Sequence, residues 1–499
     1  MLLLTIFSVV TRCLGFIFKI YLTKIMTTTE LGIYNIAISV YMVLITLVGA
    51  SIPLTISKIT ASNKHKQLEY ETKYSVTSSL ILTTGLSLFL SLLLIISKPI
   101  LTLIIGDAIG YEIIVTLIPS IIFTAIYSQI RGYLWGIENY FAVSIVEFVE
   151  QILRIGFCVL FVYTGWFSSP IVSVGIALSI ACGISTLYGL FLYFKNGGRF
   201  RYKNGYYKNV IKSSLPLTAM RLFGSMLQPL IAVIIPLRLC HMGMSKSLAL
   251  SELGIIMGMT MPLLSIPSTI LGAMCMILVP RINLVCSQDE LKTQINNYLK
   301  FTLTCIFLFI PIFLTIRKTI CNYVFGNLEA GIYMTYCCWI IIPMGISQIT
   351  TSILNALNQE QKSFVYYVIS SIFLIILILI LPKYFGIQAM LIANGISSIL
   401  LVFLTMLKLK KLTDTKTRIL KSIILHSLVC IPVVLLNTFC INIFSSLPIF
   451  INIVLTGIIS VLGYLALLFV FGILEINLIK EYILKSFKAK TKKLSKETK

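Results

Sequence analysis

Charged side chains, and acidic ones above all, are scarce in this sequence. Only 11% of its 499 residues are charged, with 17 Asp and Glu against 40 Lys and Arg, whereas 58% are hydrophobic. A soluble domain has about 25% charged residues, so this chain has too few charges to cover a water-exposed surface of its size. Apolar runs of about 20 residues recur along the whole chain. The sequence therefore excludes a soluble globular protein and a disordered one.

Several chemical motifs are also missing. The sequence has 12 cysteines but no CxxC spacing and no Cys/His cluster, which argues against a metal or redox centre. It has no GxxxxGK[ST] motif and no Ser/His/Asp arrangement, so neither nucleotide hydrolysis by that route nor nucleophilic catalysis is indicated. We therefore predict no catalytic residue, no metal site, no cofactor and no enzyme activity.

The apolar runs predict an all-α polytopic membrane protein with about fourteen transmembrane helices. The spans lie near 2–25, 30–57, 74–97, 113–133, 142–166, 171–194, 213–237, 253–280, 300–316, 332–354, 364–381, 387–407, 420–440 and 449–472.

The distribution of basic residues predicts the orientation of these spans. With a cytoplasmic N-terminus, the inner loops and the C-terminal tail hold 29 of the 40 Lys and Arg residues, and the outer loops hold 6. Cytoplasmic loops of membrane proteins carry such an excess of positive charge. We therefore expect an even number of spans and two cytoplasmic termini. The same rule accounts for the net charge of +23 without a nucleic-acid partner.

The spacing of the basic segments predicts two similar halves. The two richest internal basic loops, 195–212 and 408–421, follow spans six and twelve and begin about 210 residues apart. Arg12 and Arg221 are separated by about the same number of residues. This favours two six-helix lobes related by a pseudo-twofold axis along the membrane normal, with two extra C-terminal helices. The predicted parts are an N-lobe at 1–212, a C-lobe at 213–419, spans thirteen and fourteen at 420–472 and a basic cytoplasmic tail at 473–499.

Ionisable residues inside the predicted spans are the candidate functional residues. Each costs at least about 2.5–3.5 kcal/mol at the middle of a membrane, so each requires a compensating role. Residues seven apart lie two turns apart on one face of a helix. The candidates form such stripes in three spans: Arg12 and Lys19 in span one; Glu147, Glu150, Gln151 and Arg154 in span five; Arg221 and Gln228 in span seven.

These stripes have a structural and a functional interpretation. Glu150 and Arg154 have the i,i+4 spacing of a structural ion pair, and Lys24 is placed to extend toward the membrane surface. The four deep cations nevertheless outnumber the two deep carboxylates. This excess favours a water-filled cationic cavity, in which arginine and lysine bind the phosphate oxygens of an anionic substrate.

Several of these segments resemble the lipid II flippases and the stage V sporulation protein B group. The most specific match is SLALSELGIIMGMTMPLLSIPSTILGAMCMILVPRI at 247–282. The other matching segments are TRCLGFIFKIYL at 11–22, ELGIYNIAISVY at 30–41, SIPLTISK at 51–58, VEQILRI at 149–155 and LPLTAMRL at 215–222. The sequence departs from the family pattern at Thr11, Lys19 and Ser51, where serine, arginine and glycine are usual, and it has no arginine in span eight.

The resemblance implies membership of the multidrug/oligosaccharidyl-lipid/polysaccharide exporter superfamily. It implies a two-lobed transporter of fourteen helices with a central cationic cavity, in the plasma membrane of a bacterium. By position, Arg12 is expected to be the cavity arginine of the first span and Lys19 its second basic group. Arg154 and Arg221 match basic positions in the family's motifs.

The expected function is that of a flippase for a polyprenyl-pyrophosphate-linked saccharide. The resemblance points to lipid II, in cell-wall or spore-cortex synthesis, moved from the inner to the outer leaflet by alternating access. Substrate binding is assigned to Arg12, Lys19, Arg154 and Arg221, and charge compensation or gating to Glu147, Glu150, Gln151 and Gln228. Expected partners are this anionic lipid-linked saccharide, membrane lipids and peptidoglycan-synthesis proteins.

Three alternatives remain open at this point. The chain could be a cation-coupled multidrug exporter of the same fold, an exporter of another lipid-linked polysaccharide unit, or a scaffold for wall synthesis that transports nothing. The excess of cations disfavours the first alternative, because a drug exporter normally needs a deep carboxylate. Loss of function on removal of Arg12 and Arg221 would distinguish a transporter from a scaffold.

Overall fold

A computed structural model describes residues 2–49, 51–65, 68–105, 108–167, 169–203, 205–283, 287–413 and 419–472. Within these ranges the chain consists of helices joined by short connections, and it contains no β-strand. The predicted all-α polytopic fold is therefore confirmed. The predicted basic tail at 473–499 lies outside the described residues.

The helices of the N-terminal half follow the predicted apolar runs. They are α1 Leu2–Ile25, α2 Thr28–Gly49, α3 Ile52–His65, α4 Glu69–Ile96, α5 Lys98–Ile105, α6 Ala108–Gly136, α7 Tyr140–Thr164, α8 Pro170–Lys195, α9 Tyr206–His241, α10 Lys246–Ile255 and, after a π-helical turn at Ile256–Thr260, α11 Met261–Leu264.

The helices of the C-terminal half include three short 3₁₀ turns at Cys338–Ile340, Gly386–Gln388 and Phe444–Ser446. The α-helices are α12 Ile266–Asn283, α13 Gln288–Thr315, α14 Arg317–Phe325, α15 Leu328–Cys337, α16 Ile341–Ala356, α17 Glu360–Ile380, α18 Pro382–Phe385, α19 Ala389–Thr413, α20 Ile419–Ile443 and α21 Ile449–Val470.

The number of membrane-spanning helices is twelve by length and apolar character among the described residues. Helices α1 and α7 are not among the twelve, although they have 24 and 25 residues. Helix α7 carries Glu147, Glu150 and Arg154 within one membrane-length window, and such charges lower its mean hydropathy. All fourteen predicted spans lie on helical segments, and the count of fourteen stays a prediction.

The predicted span 253–280 is interrupted in the structure. Helix α10 passes into the π-helical turn, and α12 begins only at Ile266. Pro262 and Pro267 lie on either side of the break and cannot donate a backbone hydrogen bond to the preceding turn. The interruption therefore coincides with the two prolines of this segment.

The described chain forms two compact units. The first comprises Met1–Leu263 with Ser371–Ala393, and the second comprises Leu264–Ser370 with Asn394–Lys499. The lobe boundaries at residues 212 and 419 are a separate prediction about an internal repeat, and they stay a prediction.

Helix α6 is central to the first unit. It packs against α2, α3, α4 and α8, and α8 packs in turn against α7. The core between these helices includes Ile130, Leu134, Val146 and Tyr193, which are all buried. Helix α1 packs against α7 and so belongs to the same group of helices.

Two glycines allow α2 and α10 to approach closely within the first unit. A methyl group on Gly32 would overlap the carbonyl oxygen of Leu250, and one on Gly254 would overlap that of Thr28. The Ser251 hydroxyl donates a hydrogen bond of 2.7 Å to Thr28 Oγ1 at the same crossing. Small residues at a helix crossing permit such backbone contact in a membrane.

The second unit is built on α13 and α16. Helix α16 packs against α12 and α13, and α13 also packs against α20, which pairs with α21. Buried Leu278, Ile349, Ile353 and Leu409 form part of its apolar core. This arrangement attaches the last two helices to α13 rather than leaving them alone in the membrane.

Candidate functional site

The polar stripe of α7 forms the most buried ionic group of the first unit. Arg154 donates from one terminal nitrogen to Glu150 Oε1 and from the other, at 3.4 Å, to Gln151 Oε1. The side chains of Arg154 and Glu150 are only 24% and 21% exposed. The i,i+4 ion pair predicted as the structural alternative is therefore present.

Side chains from two other helices surround this pair. The Cys182 thiol on α8 lies 3.7 Å from Glu150 Oε1. On α2, Tyr34 and the buried Tyr41 lie close enough to interact electrostatically with Arg154. The ion pair on α7 thus contacts α8, which a sequence stripe on α7 alone cannot reveal.

The cluster retains hydrogen-bonding capacity that the described protein atoms do not use. Gln151 Nε2 and Arg154 Nε are buried donors without a partner among the described residues. Gln151 is 7% exposed, and its amide nitrogen lies next to Gly15 of α1. Buried donors without partners are costly, so these two N–H groups are suited to bind water or an anionic ligand.

The cations of α1 remain accessible. Arg12 and Lys19 are exposed, and neither forms an ion pair or hydrogen bond within the described part of the chain. Helix α1 is placed on α7 by Phe7, whose ring centroid lies 5.9 Å from that of Phe141 and 5.3 Å from that of Phe148. Arg12 and Lys19 therefore project from a helix that packs on the Glu150–Arg154 helix.

Helix α9 contributes the third predicted stripe. Arg221 and Gln228 are exposed, and Arg221 interacts with other groups of the protein. Ser214, Thr218 and Ser225 continue the stripe, since they follow the same spacing of three and four residues.

This stripe of α9 meets the junction of α2 and α3. The hydroxyl of Ser51 is hydrogen-bonded to Thr218 Oγ1 and lies 3.3 Å from the carbonyl oxygen of Ser214. Helix α2 is consequently held near both ends, by α10 at its first turn and by α9 after its last.

Glu147 has a different partner from the deep cations that the sequence suggested. Its carboxylate lies 3.7 Å from Arg131, whose guanidinium lies 5.1 Å above the Trp135 ring. The predicted span 113–133 ends just after Arg131, whereas in the structure α6 continues to Gly136. The i,i+4 spacing of Arg131 and Trp135 was the available signal for this helical extension.

All eight predicted site residues lie in the first unit, on α1, α7 and α9. Glu150, Gln151 and Arg154 are brought into direct contact, and Glu147 lies in a separate ion pair. Arg131 and Arg154 each have a carboxylate partner, whereas Arg12 and Lys19 form no ion pair within the described residues. Their roles in binding and gating remain a prediction.

The described residues contain no group of three or more His, Cys, Asp or Glu side chains that could hold a metal ion. The eleven described cysteines are free thiols. The arrangement therefore offers positive charge and hydrogen-bond donors as its binding chemistry. Such donors are suited to phosphate or carboxylate oxygens.

The helical fold and the cationic stripes are those of a multi-pass membrane transporter. A sequence profile of the family described as "Polysaccharide biosynthesis protein" matches residues 1–284, which is more than half of the chain. The chain belongs to this family. The match covers every predicted site residue.

Two relatives from Bacillus subtilis (strain 168) match part of the sequence. The chain is 25% identical to stage V sporulation protein B over 307 residues, 58% of each chain. It is 22% identical to sporulation protein YkvU over 297 residues, 56% of this chain and 64% of the relative. The chain thus spans about three fifths of the length of these curated relatives.

Two solved structures share the fold. The lipid II flippase MurJ in an inward closed conformation has a TM-score of 0.75 at 15% identity, covering 94% of this chain and 99% of MurJ. An inward-facing multidrug resistance transporter of the MATE family has a TM-score of 0.64 at 15% identity, covering 82% of this chain and 96% of the transporter. These matches show a shared fold, and the family profile and the partial match to stage V sporulation protein B confirm the predicted resemblance.

These relatives are named as flippases, transporters or sporulation proteins, and none of the names describes an enzyme. They agree with the prediction that the chain is a transporter of a bacterial membrane.

Proposed function

We propose that this protein is a flippase for a lipid-linked saccharide that carries a pyrophosphate. The observation that supports this most directly is the pair of accessible cations on α1, Arg12 and Lys19, within an apolar unit. Charges at membrane depth are retained mainly where they serve a substrate pathway or are neutralised by a partner. Arg12 and Lys19 form no ion pair within the described residues, and in this proposal an anionic substrate neutralises them.

Pyrophosphate suits the groups that are available. Arg12 and Lys19 lie seven residues apart on α1, which corresponds to about 10 Å along a helix. An extended diphosphate with its first sugar has several acceptor oxygens over such a distance. The guanidinium of Arg12 binds oxygens in pairs, whereas the ammonium of Lys19 acts as a point charge. Arg154, with its unused Nε–H, and Arg221 complete the binding site in this proposal.

The contacts at the two ends of α2 suit an alternating-access cycle. In this cycle the α2–α10 crossing at Gly32 blocks access to the cationic stripes from one side of the membrane. The hydrogen bonds of Ser51 to α9 block access from the other side. Release of one contact at a time opens the cationic stripes to one side of the membrane. When the site is empty, Glu150 stays paired with Arg154, so no buried carboxylate is left without a cation.

The membrane potential is a sufficient driving force in this scheme. With both termini in the cytoplasm, as the basic loops predict, the pyrophosphate leaves a negative interior. Each negative charge moved gains about 2.3 kcal/mol per 100 mV. Transport of two charges therefore proceeds without a coupled ion.

Lipid II is the substrate we propose, in cell-wall or spore-cortex synthesis. The support is the fold shared with the lipid II flippase MurJ and the partial sequence match to stage V sporulation protein B. A cation-coupled drug exporter of the same fold is disfavoured, because Glu147 and Glu150 each already have an arginine as ion-pair partner.

The test is lipid II exposure in bacteria depleted of their own flippase. The protein is expressed there, and a membrane-impermeant enzyme that cleaves lipid II is added outside. We expect cleavage to be restored by the native chain and lost on Arg12→Ala. Lys24→Ala is the matched control, since it removes an exposed cation from the last turn of the same helix.

Two outcomes contradict the proposal. If the native chain is well expressed and restores no cleavage, lipid II is not its substrate. If Arg12→Ala restores cleavage as fully as Lys24→Ala at equal expression, the cationic stripe of α1 does not bind the pyrophosphate.

A further inference from the structure

A basic and aromatic surface of the first unit shares no residue with the site described above. It consists of Tyr70, Lys73, Tyr74, Arg201 and Lys203, and we name it the Tyr70 patch. Tyr70, Lys73 and Tyr74 belong to the first turns of α4, and the two others belong to the segment that follows α8. The patch therefore lies where two membrane helices reach the membrane surface.

The segment after α8 is held in place by hydrogen bonds. The Arg201 backbone N–H donates to Thr77 Oγ1 of α4 at 2.9 Å. The Tyr193 hydroxyl donates to the carbonyl oxygen of Arg199 at 3.2 Å. These bonds fix the backbone that carries Arg201 and Lys203, so the two cations are presented at defined positions.

Cations and tyrosine rings alternate across the patch. The Arg201 guanidinium lies 4.8 Å from the centre of the Tyr70 ring, and Lys73 Nζ lies 5.4 Å from the same centre. Lys203 Nζ lies 5.8 Å from the centre of the Tyr74 ring. Cations at these distances are attracted to the face of the ring. This attraction leaves the charges of Arg201 and Lys203, which have no ion-pair partner within the described residues, available to a ligand.

The positive charge of the patch exceeds the negative charge of the carboxylates that pair with it. Lys73 has a carboxylate partner, Glu69, at 3.4 Å, and the Glu69 side chain is 78% exposed. Arg201 and Lys203 have no ion pair within the described residues. Two cations on one ring repel each other, and an anion between them removes that repulsion.

The position and the charge identify the class of partner. Tyrosine is enriched at the depth of lipid headgroups, because its ring is apolar and its hydroxyl is polar. Basic residues at that depth bind anionic headgroups. We propose that the Tyr70 patch is a binding site for the phosphodiester headgroup of an anionic phospholipid, separate from the transport site.

The C-terminal end of α19 provides a matched control surface. It carries Lys408, Lys410 and Lys411, three lysines that form no cation–π contact or ion pair within the described chain. This surface has the same number of cations as the patch but lacks its contacts with tyrosine rings. A lipid site requires the two surfaces to behave differently, whereas general attraction to charge requires them to behave alike.

The test compares the lipids bound to three forms of the full-length protein. Each is reconstituted in vesicles of phosphatidylcholine and phosphatidylglycerol, and the lipids retained are measured by native mass spectrometry. The patch variant combines Lys73→Gln, Arg201→Gln and Lys203→Gln, and the control combines Lys408→Gln, Lys410→Gln and Lys411→Gln. We expect the patch variant to lose at least about fivefold of the phosphatidylglycerol enrichment. The control is expected to keep it.

A second pair of variants changes Tyr70 alone and leaves all charges: Tyr70→Leu removes its ring, and Tyr70→Phe keeps it. Tyr70→Leu is expected to lower the enrichment about twofold to fivefold, and Tyr70→Phe is expected to leave it unchanged. These variants decide the question if the triple patch variant does not fold.

Three results overturn the proposal. Equal loss in the patch and control variants shows attraction to net charge rather than a site. An unchanged enrichment in both the patch variant and Tyr70→Leu shows that phospholipid binds elsewhere. Displacement of phosphatidylglycerol by an equimolar polyprenyl pyrophosphate shows that the patch receives the lipid-linked substrate instead.

Discussion

The two units bury polar groups of different kinds. In the first unit, α7 carries the Glu150–Arg154 ion pair beside two unused donors. In the second unit, α13, α20 and α21 meet around Asn437, which is fully buried and donates to Ser460 Oγ at 2.9 Å and to Thr315 Oγ1 at 3.4 Å. One group is charged and the other is neutral, although both lie on membrane helices.

This difference has a physical meaning. A neutral amide with hydrogen-bond partners is tolerated inside a helix bundle and contributes modestly to its association. A charged pair costs more to desolvate than its attraction generally returns. The charged group is therefore better explained by function, and the neutral group by structure. The family match agrees with this division, because it covers residues 1–284 and thus the whole charged group.

His426 supports the same interpretation of the second unit. It is 1% exposed, its Nδ1 lies 2.8 Å from the carbonyl oxygen of Ser422, and its Nε2 lies 3.5 Å from Thr304 Oγ1. Both ring nitrogens thus have local partners on α20 and α13. We interpret this residue as part of the polar packing that attaches α20 to α13.

The largest effect is expected when one partner of the charged pair is removed. Arg154→Ala leaves Glu150 partly buried without its cation, which we expect to lower the free energy of unfolding by about 3 kcal/mol. Unfolding in a denaturing detergent measures this change. The double variant Arg154→Met with Glu150→Leu is expected to recover the stability but not the lipid II exposure. Recovery of both would make the pair structural and would remove the contrast between the units.

A smaller effect is expected at the crossing of α2 and α10. Gly32→Ala places a methyl group against the carbonyl oxygen of Leu250 and forces the two backbones apart. We expect a loss of about 1–3 kcal/mol in the free energy of unfolding, together with a strong loss of flippase activity. Gly85→Ala is the matched control, because no atom lies within 4 Å of the added methyl group. Equal stability of the two variants would contradict the close approach of α2 and α10.

The smallest effect is expected in the neutral group of the second unit. Asn437→Ala removes two hydrogen bonds from buried partners and is expected to cost about 1 kcal/mol of unfolding free energy. Lipid II exposure per folded molecule is expected to stay unchanged, since Asn437 lies outside the proposed site. A loss of activity without a loss of stability would show that the second unit also has a direct part in transport.

The sequence predicted the helices well and the partners of their polar residues only in part. Glu150 and Arg154 lie on one helix, so their spacing alone predicted the ion pair. Gln151 also follows the α7 stripe, but its position beside Gly15 depends on the packing of α1. The partner of Glu147 was missed because Arg131 belongs to another helix. No periodicity within α7 contains information about α6.

The same limit applies to the breaks and crossings. The interruption near residue 265 lies between Pro262 and Pro267, whose missing N–H groups act within one helix. Gly32 and Gly254 lie 222 positions apart, and each glycine alone is compatible with many roles. Their common crossing becomes visible only when α2 and α10 are placed side by side.

The sequence by itself determined that this chain spans a membrane many times, where its helices lie and that its deep charges are mostly positive. These properties depend on the composition of single segments and on the transfer of each segment from water to lipid. Only the tertiary structure decided which cations are neutralised, which stay accessible and which helices carry them into one unit. Those outcomes depend on distances of a few ångströms between distant parts of the chain, because ionic and hydrogen-bond energies fall off steeply over that range.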